Sequence, residues 1–445
     1  MYAQIDFTKQ IRPIGKLNGA NNGPLHSFTD RTAEYKDMGI DFVRFHETHS
    51  IFTKCVEIPF IFPDFDADEN DPANYFFGET DAVMAAAYNS GMEIMYRLGM
   101  GTEGSKPKLF CVIPKDYAKW ARIAEHVIMH YNEGWADGFH YNIEYWEVWN
   151  EADIKEYWPG EHSEYVKFYN ISANHLKKRF PHIKIGCSGF AWLYPEIKPD
   201  PEKEPERAAT YDMRYKFFHD FLASIADGSS PMDFFAWHIY AFNSAICAER
   251  LRVLNKLLSE FDLLGKVEVI NTEWNAITLH KDSKGRWNLA QMVTMKSAVA
   301  VVACMIVMQK NNVTKAAYYD ADERSRFCGL YDFEKKGNHY YSLKIFNLLR
   351  NAETEVESDG DTDTFRVCGA TNGKIASVLL TNEDESGNAL VKPKGIPRCN
   401  YTLTLFDSGH KLEVVRRGRF SGRAISVPME KNSAAYLEFD LTEEA

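Results

Sequence analysis

The sequence lacks the spacings that would give its cysteines a chemical role. Its eight cysteines, at positions 55, 111, 187, 247, 304, 328, 368 and 399, form no CxxC pair and no Cys/His ligand cluster, which argues against a structural zinc site and against a disulfide framework. They read as packing thiols. No apolar run approaches the length of a membrane span, so no membrane partner is expected. No basic run of the kind that tracks phosphates occurs, and 51 Lys and Arg face 63 Asp and Glu for a formal net charge of −12, so nucleic acid is not an expected partner. No internal repeat or low-complexity stretch stands out. The opening residues MYAQIDFTKQ lack the basic and apolar regions of a signal peptide. A cleaved signal replaced by a Met would read the same, which leaves the compartment open between cytoplasm and periplasm or exterior.

What is present is a long chain with an alternating pattern. At 445 residues it exceeds the usual single domain, and one large unit plus a small one is the natural expectation. Short apolar runs alternate with segments of helical period from about residue 15 to 350, predicting strands at 14–21, 41–47, 93–99, 145–151, 183–189, 233–240, 267–274 and 313–320. Between them, Tyr117, Trp120, Ala121, Ala124, Val127, Ile128 and Tyr131 make one apolar helical stripe, and Leu251, Leu254, Leu257, Leu258 and Phe261 another. Asp30 and Thr80 stand at two further helix starts, and Gly39 and Gly91 where left-handed caps are needed. Eight strand–helix units predict an α/β fold, a (β/α)8 TIM barrel over 15–351. After residue 352 the runs become short and β-like between Gly, Asn, Asp and Ser turns. This predicts a small C-terminal all-β domain, a β-sandwich over 352–445 completed by a strand from 1–14.

In such a barrel the reactive groups sit at the C-terminal ends of the strands. Those ends carry Arg44, His46, Glu47, Asn150, Glu151, His238, Tyr240, Glu273 and Trp274. Glu151 in VWNEAD and Glu273 in INTEWN face each other from the fourth and seventh strands. Two carboxylates across a cleft suit glycoside hydrolysis, one protonating the leaving oxygen and the other attacking the anomeric carbon or activating water. Sugar rings present C–H faces that pack on indoles, which gives Trp149, Trp158 and Trp274 an expected place. Arg44 would hold Glu273 ionised, since a nearby cation lowers a carboxylate pKa.

These segments also carry a resemblance. KLNGANNGP, FVRFH, YWEVWNEADIKEYWPG, DFFAWHIY and INTEWN resemble the strand segments of glycoside hydrolase family 39, the β-xylosidase and α-L-iduronidase family. The resemblance implies that Glu151 is the general acid/base and Glu273 the nucleophile. It further implies that Asn150 meets the sugar 2-hydroxyl, that His238 lies near Glu151 and Tyr240 near Glu273, and that His46 contacts the sugar. The chain departs from the family in Ala152 where relatives have Pro, in Glu47 after His46, and in Tyr318 and Tyr319 where the eighth strand usually ends in a platform Trp.

Plainer readings apply elsewhere. The HExH of residues 46–49 puts its two histidines on opposite faces of a strand end, so no metal is expected. Trp146 and Phe235 read as core, Glu144 and Glu147 as helix-layer contacts, and Asp320 with Asp322 as a solvated loop. Asn170 and Asn400 begin glycosylation sequons that recur by chance. The acidic balance argues against a polyanionic substrate unless Arg97, Arg324 or Arg326 forms a local patch.

The sequence thus predicts a retaining, exo-acting β-glycosidase of β-xylosidase type that takes an oligosaccharide or polysaccharide and needs no cofactor. A silent carbohydrate-binding barrel and an endo-acting relative are the alternatives. A monomer and an oligomer are equally compatible with these features.

Overall fold

The computed structural model describes residues 1–26, 29–46, 48, 55–101, 111–277, 289–323, 325–332 and 335–442. Eight parallel strands close a barrel: Lys16–Asn21, Phe42–Phe45, Glu93–Leu98, Tyr145–Val148, Lys184–Gly186, Phe234–Tyr240, Glu268–Asn275 and Val313–Tyr318. Here they are called the first to eighth strands. Each falls where the alternation of apolar runs predicts one, but several stop early at their C-terminal ends. The second ends at Phe45, the fourth at Val148 and the fifth at Gly186. Beyond them the backbone leaves the ladder, with positive φ at Trp149 (74°), Glu151 (43°) and Gly189 (58°). Those few residues shape the barrel mouth.

The helices form where local signals and apolar stripes agree. Helix Tyr117–Asn132 begins after Asp116, whose carboxylate accepts the Lys119 N–H at 2.9 Å, and it buries Trp120, Ala121, Ala124, Val127, Ile128 and Tyr131. Helix Ser244–Glu260 is capped by Asn243, which accepts from the Ile246 N–H at 3.1 Å. Helix Met295–Lys310 is buried on every side from Ser297 to Gln309. A helix apolar all round must be covered all round. This one packs against the eighth strand and also against strands Phe365–Thr371, Ile375–Asn382 and Ser433–Asp440 of the C-terminal sheet. At its end the Gln309 amide donates to Glu355 (2.8 Å) and to the Pro13 carbonyl (3.2 Å), and accepts from the Gly15 N–H (2.7 Å).

The C-terminal strands and the N-terminal strand Tyr2–Pro13 share one nine-stranded sheet. Tyr2–Pro13 pairs antiparallel with Thr354–Asp359 and parallel with Gly387–Lys394, and its register shifts between Asp6 and Gln10 and again before Arg12. Such irregularities bend a strand. Strands from both ends of the sheet bring Val391, Val427, Leu403 and Phe439 into one core. The sheet therefore folds over itself as a sandwich.

Gly19 marks a tight point of the barrel, since a Cβ there would overlap the Ala316 carbonyl oxygen and the Phe42 ring. Gly19→Ala is expected to destabilise the fold by about 1–3 kcal/mol, as overpacking of a dense core does. Urea unfolding measures this, and an unchanged midpoint would contradict the close packing of the first and second strands.

Candidate active site

The end of the fourth strand is built by two reversals. Along the strand Tyr145 and Glu147 face the barrel axis, and strict alternation would aim Trp149 inward too. The positive φ at Trp149 turns its indole out instead. There its Nε1–H donates to the Tyr157 carbonyl (2.9 Å), and the ring packs on Trp120, Trp158 and Phe168. Asn150 and Glu151 then both face inward, with the Glu151 N–H held on the Ser188 carbonyl at 2.5 Å.

This geometry corrects the expected sugar platforms. Trp149, Trp158 and Trp274 are each only 1% exposed, so none has an open ring face to offer. Trp158 lies edge-on to Trp149 and Tyr165 and donates Nε1–H to the Glu161 carbonyl. Trp274 packs edge-on to Tyr318. Trp146 and Phe235 are core residues, as alternation predicts.

Arg44, fully buried at the centre, joins four strand ends. Its Nε donates to Glu147 (2.6 Å), Nη2 to the Asn150 side-chain oxygen (2.8 Å), and Nη1 to Asn21 (3.0 Å) and Glu273 (3.3 Å). Burial works against its charge, but the Glu147 and Glu273 carboxylates outweigh that and raise its pKa. Glu147 is thus an interior acid paired with a cation rather than a helix-layer contact. Strand parity with Tyr145 was the signal for that. Burial raises the Glu147 pKa and the Arg44 guanidinium offsets part of that rise; at 2.6 Å from an always-charged group Glu147 is the anion of the pair. Glu144, by contrast, is an exposed partner of Lys184.

From Glu147 a chain of hydrogen bonds leads to Glu151. A carboxylate only accepts, so the Thr272 hydroxyl donates to Glu147 (2.9 Å). That hydroxyl therefore accepts from His238 Nε2–H at 3.1 Å. Burial, then the Arg44 charge, push the His238 pKa well below its usual value, so the ring is neutral and Nδ1 is bare. The 2.8 Å contact from Nδ1 to Glu151 Oε1 then needs its proton on Glu151. Gly189, at φ 58°, lies against this chain, where a Cβ would strike His238 and crowd Glu147.

Glu273 has the opposite environment. Its Oε1 accepts from the Tyr240 hydroxyl at 2.6 Å, and Oε2 faces Arg44 Nη1 and, at 3.5 Å, His46 Nε2. Burial and the Glu273 charge raise the Tyr240 pKa well above normal, so that phenol keeps its proton. His46 accepts from Arg97 Nε at Nδ1 (3.0 Å), which leaves Nε2 as the donor in its neutral form. One carboxylate oxygen of Glu151, one of Glu273 and a ring nitrogen of His238 lie within 4.8 Å of one another. Such a trio has metal-ligand spacing, but a divalent ion there would sit against the Arg44 charge. Glu151 and Glu273 are 7% and 6% exposed, which rules out two freely solvated side chains.

Tyr319, His46, Tyr240 and Phe327 form an aromatic wall with ring centroids 5.5–6.1 Å apart in successive contacts. Asp320 and Asp322 are buried, not a solvated loop. Asp320 accepts from Asn22 (3.0 Å), and burial, with Asp322 beside it, pushes its pKa up to about 8. Glu47, His49 and Arg324 lie outside the described residues. Sequence reasoning missed Thr272, Phe327 and Asn21. Only Asn21 had a usable signal, its position at the end of the first strand.

The family model described as glycosyl hydrolases family 39 matches residues 26–325. A curated relative, a β-xylosidase of Geobacillus stearothermophilus, is 29% identical over 138 residues, 28% of this chain. That match spans only 21% of the relative's length. A glucosidase from Croceicoccus marinus superposes with TM-score 0.73 at 17% identity, covering 99% of both chains. A family 39 β-xylosidase from Caulobacter crescentus gives 0.67 at 15%, covering 99% of this chain and 100% of its own. An α-L-arabinofuranosidase from Thermotoga maritima gives 0.68 at 13%, again over 99% and 100%. At these identities the structural likenesses establish the fold.

The proton placement predicts that His238 is the neutral Nε2–H tautomer at pH 6. Nitrogen-15 spectra of histidine-labelled protein, assigned by His238→Gln, measure this. Thr272→Val should remove the tautomer preference, whereas an imidazolium or an Nδ1–H ring in the wild type would contradict the chain.

Proposed function

Since this chain belongs to the glycosyl hydrolases family 39, we propose that it cleaves a glycosidic bond by double displacement, with retention of configuration. The observation that carries the reading is one pair of carboxyls in opposite surroundings. Glu151 is held as the acid by a bare His238 nitrogen, and Glu273 as the anion by Arg44 and Tyr240. One oxygen of each lies within 4.8 Å of the other, which supports the short separation of retaining enzymes, about 5–5.5 Å.

In the first step Glu273 attacks the anomeric carbon while Glu151 passes its proton to the leaving oxygen. A glycosyl–Glu273 ester forms and the alcohol departs. In the second, Glu151, now anionic, takes a proton from water, which attacks the anomeric carbon and releases Glu273. The Asn150 side-chain oxygen is fixed by Arg44, and its buried Nδ2 has no partner among the described residues. A sugar 2-hydroxyl would satisfy that donor, and the bond would strengthen as positive charge develops on the ring. His46, Tyr240 and Tyr319 flank the same space and are the proposed sugar contacts.

The burial of both carboxyls supports a pocket that receives a chain end, hence exo action. The names of the relatives, β-xylosidases among them, support a β-xyloside as the first substrate to try.

Glu273→Ala should abolish turnover of every aryl glycoside. Glu151→Ala should lose about 10²–10⁴-fold on poor leaving groups and far less on dinitrophenyl glycosides, which need no acid. Product configuration read by proton NMR should be retained. An inverted product would sink the nucleophile assignment, wild-type rates in both variants would move the chemistry to other residues, and absence of turnover in the wild type would leave only a binding barrel.

A further inference from the structure

Beside the acid lies a second concavity that the reaction above does not use. It is a cavity of about 260 Å³ between the loop following the fifth strand and helices Pro205–Ala226 and Ser244–Glu260. The same loop touches the reactive tip. Ser188 holds the Glu151 N–H, and Asp153, two residues past Glu151, accepts from the N–H groups of Ala191 (3.1 Å) and Trp192 (2.7 Å).

The cavity is lined by Trp192, Tyr194, Tyr211, Arg207, Arg214 and Arg250, with Glu249 exposed at its rim. Arg207 is paired with Glu204. Arg214 and Arg250 form no ion pair among the described residues, and the buried Arg214 Nε has no hydrogen-bond partner. Arg250 donates to the Leu193 carbonyl at 2.7 Å, a neutral acceptor. Burial lowers the pKa of both guanidiniums; the weaker opposing charges are the exposed Glu249 for Arg250, and for both Asp153, already engaged by two backbone N–H groups. Two partly desolvated cations with no carboxylate in ion-pair contact among the described residues are costly unless an anion completes them. Trp192 is 43% exposed, with the Arg214 guanidinium 5.7 Å from its ring centroid. An exposed indole beside two guanidiniums offers a ring surface and an anion site together.

We propose that this cavity is an accessory site on the leaving-group side for an anionic sugar residue, its ring against Trp192 and its carboxylate or sulfate on Arg214 and Arg250. The inference rests on the glycosidase reading and deepens it, since the bond cleaved would then join a terminal sugar to an acidic oligosaccharide. Overall negative charge does not oppose this, because the positive groups are local and enclosed.

Binding and turnover separate the two readings. Calorimetric titration at low salt with D-glucuronate, D-glucose 6-sulfate and uncharged D-glucose should show at least one anion binding about tenfold or more tightly than glucose. Whichever anion binds more tightly identifies the carboxylate or the sulfate as the ligand group. Arg214→Gln should abolish that preference, Trp192→Ala should weaken binding of both anions, and neither should change hydrolysis of a neutral aryl glycoside. The inactive Glu273→Ala variant should bind the anions as the wild type does. Equal binding of glucose and both anions, or an anion preference that survives Arg214→Gln, would overturn the site while leaving the glycosidase assignment standing. Absence of aryl glycoside turnover in the wild type would overturn the catalytic reading instead.

Discussion

Everything at the barrel mouth depends on one buried cation. Arg44 has no contact with solvent and is surrounded by acceptors from the first, fourth and seventh strands: Asn21, Glu147, Asn150 and Glu273. A guanidinium so deep in a protein is tolerable only with well-placed anions, and removal of one partner would leave an uncompensated charge. The requirement runs both ways. Arg44 is held against Glu147 and Glu273, and Glu147 orients Thr272, which orients His238, whose bare Nδ1 accepts a hydrogen bond from Glu151. One positive charge thus underlies two different surroundings for carboxyls a few ångströms apart, the condition that the proposed roles of acid and nucleophile require.

The barrel makes this arrangement rigid. Parallel strands fix the spacing of Arg44, Glu147 and Thr272, all on interior-facing positions, while the turns beyond the strands aim Asn150 and Glu151 where no regular strand would. A further polar layer lies below, where Lys184 and Tyr145 meet Glu268 and where Lys16 and Lys315 meet Glu93. The all-round buried helix Met295–Lys310 joins the barrel to the folded sheet, so movement of the seventh and eighth strands would have to disturb both cores.

Much of this was legible in the sequence because it follows a period. Eight apolar runs at barrel spacing, the Glu at the ends of the fourth and seventh strands, and the Arg on the second are all positional signals. The roles of Trp149, Trp158 and Trp274 were not legible, since a positive φ at Trp149 cancels the alternation from which an inward ring is inferred. Glu147 was misplaced for the opposite reason: its parity was correct, but an acid inside a barrel makes sense only once Arg44 is seen beside it. Thr272 and Phe327 carry no motif, and their contacts arise from loops and strands far apart in sequence. Arg214 and Arg250 sit on helices whose polar residues read as solvent-facing, and only the packing of the loop from the fifth strand encloses them.

The central claim is that Glu273 becomes covalently bonded to the sugar. The most direct measurement is mass spectrometry of the protein after incubation with a 2-deoxy-2-fluoro glycosyl fluoride, whose fluorine slows breakdown of the intermediate. The account predicts one adduct per chain, located by peptide fragmentation on Glu273. An adduct on Glu151, or steady turnover of the corresponding unfluorinated substrate with no adduct trapped from its fluoro analogue, would contradict it.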